Sequence, residues 1–204
     1  MINTVYKIND TTLLKAISNT DLGVEIDSFL TFDQHIVKTC NKAKQRAAII
    51  LKCFKSRNPA LLVKAFIPYV RSILEYACNV WSPFKLIHID KLKHVQRYST
   101  RRLKRMYNLS NGERLLNLCL ESLEVRRLRS DLLMYFKTLH GYADLQFTDF
   151  FKINNNRTTI NNFLAITSSW KTNFSSDLFS NRAINVWNSL SNDIVLSQSV
   201  NQFK

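Results

Sequence analysis

From Ile36 to Phe54 the apolar side chains recur at helical spacing. Ile36, Cys40, Ala43, Ala47, Ile50, Leu51 and Phe54 fall on one stripe of a 3.6-residue helix. A stripe of that length commits the segment to an amphipathic helix whose apolar face must be covered by something else. Later segments repeat the period, so the chain has to solve a helix-packing problem. Breakers are scarce, with three glycines and three prolines among 204 residues, which leaves few tight turns and favours long helices. A hydrophobic fraction of 46% is enough for a packed core. These features predict a mainly α fold: a helical bundle with a short N-terminal β element and a loop-rich C-terminal segment.

Residues 1–30 read as short strands, Val5 to Asn9, Thr12 to Ile17 and Leu22 to Asp27, separated by the turn-prone Asn9-Asp10 and Ser18 to Asp21. So little strand is a poor independent unit and is expected to edge a larger sheet outside this chain. Residues 31–141 form the helical part. Its first helix is predicted to begin near Thr31 with a capping box to Gln34, and Lys38, Lys42 and Lys52 project away from the apolar stripe. Asn58-Pro59 reads as an N-cap followed by proline at the first helical position. Ala60 to Val80 is apolar nearly all round and predicts a buried helix, kinked or broken before Pro68. Another capping box, Ser110 to Glu113, opens a short helix. Leu123 to Leu139 follows, stopped by Gly141, with Val125, Leu128, Leu132, Tyr135, Phe136 and Leu139 inward and Arg126, Arg127 and Lys137 outward. Residues 142–204 turn to Asn, Ser and Thr after Asn154. There Thr158 to Ile166 reads as a strand, Phe179 to Leu190 as a helix with Ile184 and Trp187 inward, and the final SVNQFK as the start of a helix.

Charge divides the same three parts. The net +14 is distributed as −3 over residues 1–33, +16 over 34–139 and +1 over 140–204. The predicted helix from Ile87 to Met106 concentrates it. Ile89, Leu92, Val95, Gln96, Ser99, Leu103 and Met106 share one half of the wheel, and His94, Arg97, Tyr98, Arg101, Lys104 and Arg105 the other. Solvated helix faces usually mix signs, so an acid-free face points to a polyanion, nucleic acid before an anionic membrane surface. No apolar run reaches the roughly eighteen residues that span a bilayer, and no signal peptide is visible. An intracellular protein, nuclear or cytoplasmic, is expected. Cys40, Cys53, Cys78 and Cys119 lack the close pairs of a zinc site and read as reduced core residues. Trp81, among apolar neighbours, reads as core. His35, His88, His94 and His140 make no HxxxH pair, and Gly23, Gly112 and Gly141 stand alone. No catalytic residues, metal, cofactor or small-molecule substrate are therefore expected. Binding chemistry remains, with cations on phosphates and Tyr98 available to stack on a base.

Asp21 to Ile36 (DLGVEIDSFLTFDQHI), Lys42 to Pro59, Tyr69 to Pro83 (YVRSILEYACNVWSP), Ile89 to Leu103, Ser110 to Gly141 and Phe179 to Leu190 occur in an order that resembles the region after the palm of reverse transcriptases from non-LTR retrotransposons, the Jockey and CR1-like LINE group. The resemblance runs from about Asp21 to Lys204. It implies the end of the palm at 1–30, a thumb-like helical domain at 31–141 and a connection at 142–204 of an RNA-directed DNA polymerase. The parent's Mg2+-binding Asp-Asp turn would lie before Met1. Tyr142 to Leu145 (YADL) copies half of that turn, but Leu145 stands where the second acid belongs. By resemblance the chain is no enzyme as it stands. It would hold RNA or an RNA–DNA template–primer by its backbone and meet the missing palm and fingers. Arg97, Arg101, Lys104, Arg105, His94 and Tyr98 form the expected contact face, with Lys38, Lys42 and Lys52 as a second surface. The alternatives are a structural module docking on the palm or on an acidic protein, or a mobile-element relic.

Overall fold

The chain enters through two small antiparallel hairpins. In the computed structural model, which describes residues 7–9, 11–12, 16–153, 165–166 and 182–204, β1 (Lys7–Ile8) pairs with β2 (Thr11–Thr12), and β3 (Ser18–Asp21) with β4 (Val24–Asp27). The sequence reading of Ser18 to Asp21 as a turn is corrected: it is a strand, in register Ser18↔Asp27 through Asp21↔Val24. The turn is Leu22-Gly23, both at positive φ (46° and 82°), the two-residue geometry whose twist matches paired strands. Polar propensity misled here because β3 is exposed throughout and needs no apolar alternation. Val24 and Ile26 tie β4 to the helices.

The predicted capping box at Thr31 and Gln34 does not form. Helix α1 (Asp33–Cys53) has Phe32 as its N-cap in the left-handed region, with no side-chain cap. Asp27 organises the entry instead. Its carboxylate accepts from Phe29 N at 2.9 Å, Phe32 N at 2.7 Å and Thr31 Oγ1 at 3.0 Å. The α1 stripe is as expected: Ile36, Cys40, Ala43, Ala47 and Leu51 are buried, and Ile50 and Phe54 pack at the margin.

Asn58 caps α2 (Pro59–Phe66) through Ala60 N and Leu61 N, as the sequence predicts. The helix continues through a π-helical segment, Ile67–Arg71, into α3 (Ser72–Glu75). Pro68 lacks an N–H and its ring crowds the preceding turn; the widened turn accommodates both. Ala77, at φ 50°, then separates α3 from α4 (Cys78–Trp81). The helical geometry changes just before Pro68, as expected, but the expectation of burial all round is corrected. Leu62, Phe66, Val70 and Leu74 face the core, whereas Leu61, Tyr69 and Val80 are exposed. Trp81 is core, donating from Nε1 to Tyr76 O at 2.7 Å.

Helix α5 (Leu86–Arg101) packs lengthwise on α1. α6 (Asn111–Asn117) opens with both bonds of the Ser110–Glu113 capping box. α7 (Leu123–Leu139) ends with Tyr142 N on Lys137 O at 2.8 Å and Gly141 N on Thr138 O at 3.4 Å, the paired bonds of a glycine C-cap. Its rotation differs from the predicted stripe: Val125 is exposed, and Arg127 and Asp131 are buried. Two cores result. One runs from Val24 to Leu123 over α1–α6. The other gathers Tyr135, Phe136, Phe151, Ala183, Ile184, Trp187 and Val195. α7 contributes to both.

Around the second core lie α8 (Phe147–Phe150), a β5–β6 pair (Lys152–Ile153, Ala165–Ile166), α9 (Ile184–Trp187), α10 (Asn192–Val195) and α11 (Val200–Phe203). Ile184 and Trp187 point inward as predicted, and Ser199 caps α11. Most of the predicted Thr158 to Ile166 strand and its flanking loop lie outside the described residues. The architecture is mainly α with a short N-terminal β element.

Candidate nucleic-acid interface

Burial of Leu92, Val95, Gln96 and Ser99 fixes the rotation of α5, and so turns His94 and Arg101 to solvent, with Arg97 and Tyr98 at the margin. The helix stops at Arg101 rather than Met106. Beyond it the buried Leu103 and Met106 anchor a turn in which Lys104 N donates to Arg57 O at 3.0 Å and Arg105 adopts φ 65°. Lys104 and Arg105 are exposed on that turn, so they extend the cationic face past the helix end instead of lying along the helix.

The expected contacts differ in how committed they already are. Arg97 is ion-paired with Asp90, seven residues earlier on the same side of α5, so the expectation of an acid-free face is corrected. Arg101 lies over the Tyr107 ring, Cζ 4.5 Å from its centroid, and has no carboxylate partner among the described residues. Neither Lys104 nor Arg105 pairs with an acid among those residues. Arg102 bonds the Tyr98 carbonyl at 3.1 Å and sits 3.7 Å over the Tyr98 ring, and Lys44 Nζ lies 5.6 Å from the same ring. Tyr98 is thus a half-buried platform already carrying two cations, which limits its use as a stacking surface.

The second expected surface is less open. Lys38 Nζ is 2.7 Å from Glu25 of β4. Lys42 lines a cavity of about 510 Å³ between the second hairpin, α1 and α3, shared with Glu25, His35 and Tyr76. Burial holds the His35 imidazole below its usual pKa. Lys52 is exposed in the last turn of α1.

Sequence reasoning missed Arg114. It is almost fully buried on α6, bonds Leu109 O and Asn111 Oδ1, and leaves Nε enclosed without a partner. Burial first, and then the charges of Arg101 and Arg97, hold its pKa below the usual arginine value. A lone arginine inside an ordinary capping-box helix gives no periodic signal, and only the fold brings it beside α5.

Several other cations are met internally. Arg126 embraces the Glu75 carboxylate and reaches Glu121, which also takes Arg129; Lys93 pairs with Glu124 at 2.8 Å and Lys85 with Asp33 at 2.6 Å. Deep between α4 and α7, Asp131 receives Arg182 Nε and Nη2 at 3.1 and 3.0 Å and Asn79 Nδ2 at 2.8 Å. Burial nevertheless pushes the Asp131 carboxyl up.

The cysteine expectation holds in part. Cys40 and Cys78 are buried thiols, burial pushing Cys40 up to about 11. Cys53 and Cys119 are exposed, a correction that follows from their positions at the ends of α1 and α6. Among the described residues no cluster of His, Cys, Asp and Glu has the makings of a metal site, and no helix is long and apolar enough to cross a membrane. Tyr142 and Asp144 lie just after the α7 cap, with Tyr142 Oη bonded to Gln198 O, so YADL sits at a helix end and not in a hairpin.

No family pattern and no solved structure matches the chain. It is similar to an uncharacterized protein of Caenorhabditis elegans, 30% identical over 124 residues, 59% of this chain and 63% of that protein. The match therefore spans less than two thirds of the relative's length.

Proposed function

We propose that this chain is the post-palm part of a non-LTR retrotransposon reverse transcriptase, and that it binds RNA or RNA–DNA template–primer through the backbone. The carrying observation is the end of α5. There Arg101, Lys104 and Arg105 are exposed, no carboxylate among the described residues neutralises them, and the buried Arg114 adds to the same field. Cations near a helix C-terminus also complement the helix dipole, which accounts for one or two of them but not for a group continuing past the helix end. Each phosphate contact replaces condensed counterions, so binding of this kind falls with salt. An A-like hybrid would be recognised by shape and phosphate, not base sequence.

Reversing Arg101 and Arg105 to Glu should weaken hybrid binding and flatten its salt dependence, read by fluorescence anisotropy across a salt series. An unchanged slope in a variant that still melts cooperatively removes the end of α5 from the site.

A second reading is favoured by the second hairpin, a two-stranded sheet with open edges, where Leu22 in the turn and Ile17 and Phe29 beyond the strand ends are 78% or more exposed. Docking on the missing palm would cover them. On this reading the chain binds a separately produced palm fragment while hybrid affinity stays negligible.

A further inference from the structure

A groove of about 260 Å³ runs between α1 and α5, on the side of α5 that carries His94. Buried Cys40 and Val95 floor it, and the exposed Asn41, Lys44, Lys91 and His94 form its rim. The sequence reading placed α1 and α5 cations on two separate surfaces and named neither Lys44 nor Lys91. Packing of the two helices brings both to one channel. Lys44 leans across α1 toward α5, as its position over the Tyr98 ring shows. The one rim carboxylate, Asp90, is already held by Arg97, which leaves two lysines whose positive charge no rim acid offsets.

Resting on the function proposed above, we infer that this groove is a backbone phosphate site, in which Lys44 and Lys91 neutralise a phosphodiester and Asn41 and His94 hydrogen-bond to it. The end of α5 then supplies the contacts on either side of the next phosphates, and the track follows the α1–α5 seam rather than Lys38 or Lys52. Polar and cationic donors at the rim suit an anion, and the floor of a buried thiol and a valine brings no negative charge to oppose it.

The test uses the full chain, an RNA–DNA hybrid, and inorganic pyrophosphate as a free-anion probe. In the Lys44→Gln/Lys91→Gln double variant, loss of this one phosphate contact should lower the salt slope by roughly 0.9, the duplex value per neutralised phosphate. The His94 imidazole resonances should shift with hybrid in the wild type and far less in the variant. Lys44→Arg/Lys91→Arg should restore the slope. Both lysines are exposed, and a thermal melt checks that the variants remain folded. An unchanged slope in the folded double variant, with the Arg101/Arg105 reversal still damaging, overturns the groove site and leaves the proposed function standing. A His94 shift with pyrophosphate but none with hybrid overturns the assignment to nucleic acid. No hybrid binding by the wild type removes both readings.

Discussion

α7 and the end of α5 are both rich in arginine, and they use it oppositely. Along α7, Arg126 and Arg129 close on Glu75 and Glu121, and Asp131 is clamped by Arg182. At the end of α5, Arg101, Lys104 and Arg105 meet no acid among the described residues. The difference comes from placement. α7 bridges two cores and lies against α3, α4 and the C-terminal segment, so its charges are drawn into partly buried pairs. The α5 terminus projects from a single core into water. A high net charge therefore says little until the fold shows which cations remain uncommitted.

The comparison breaks most visibly at Asp131. Asp131→Ala removes the carboxylate to which Arg182 and Asn79 Nδ2 both donate, at a residue 3% exposed. Removing one partner of a buried pair costs about 3–5 kcal/mol. Urea denaturation should show a loss of that order, with the second core loosening first. A loss near zero would mean that α7 is no more dependent on its charges than α5.

Arg127 sharpens the contrast within α7 itself. It is 5% exposed, its Nη1 is enclosed without a hydrogen bond, and burial holds its pKa down. A guanidinium so placed carries a desolvation cost that its neighbours do not fully repay, so Arg127→Met should leave stability within about 1 kcal/mol of the wild type or raise it. If Arg127→Met instead unfolds the chain, Arg127 is a structural ion like Asp131.

Local rules were legible in the sequence. The α1 stripe, the Asn58-Pro59 start, the Ser110–Glu113 box and the Gly141 stop all follow from residues within one or two turns of each other, and all are present. The Thr31–Gln34 box is the local exception, displaced by Asp27, and the rest of what was not legible depends on distant partners. Arg126 finds Glu75 fifty-one residues away, and Arg127 turns inward because α7 must present Leu123 to one core and Tyr135 to another. Likewise the basic wheel of α5 could be read from periodicity. So could Asp90, which stands seven residues before Arg97 on the same side of the helix; that Glu25 occupies Lys38 and that Arg114 joins the cluster could not.

The smallest expected effect is on the stability of the α5 end. Arg101 is favoured by the helix C-terminus and by the Tyr107 ring, and disfavoured by its like-charged neighbours Arg97 and Arg114. These contributions oppose one another at an exposed position, so Arg101→Ala should change folding stability by less than about 0.5 kcal/mol. Because the repulsive part is the one that reaches farthest through solvent, salt screens it first. The variant should therefore look slightly better relative to the wild type at low ionic strength than at high. A loss above about 1 kcal/mol, insensitive to salt, would place Arg101 among the structural charges with Arg126. The end of α5 would then have no spare cation at Arg101, one of the positions on which the proposed binding rests.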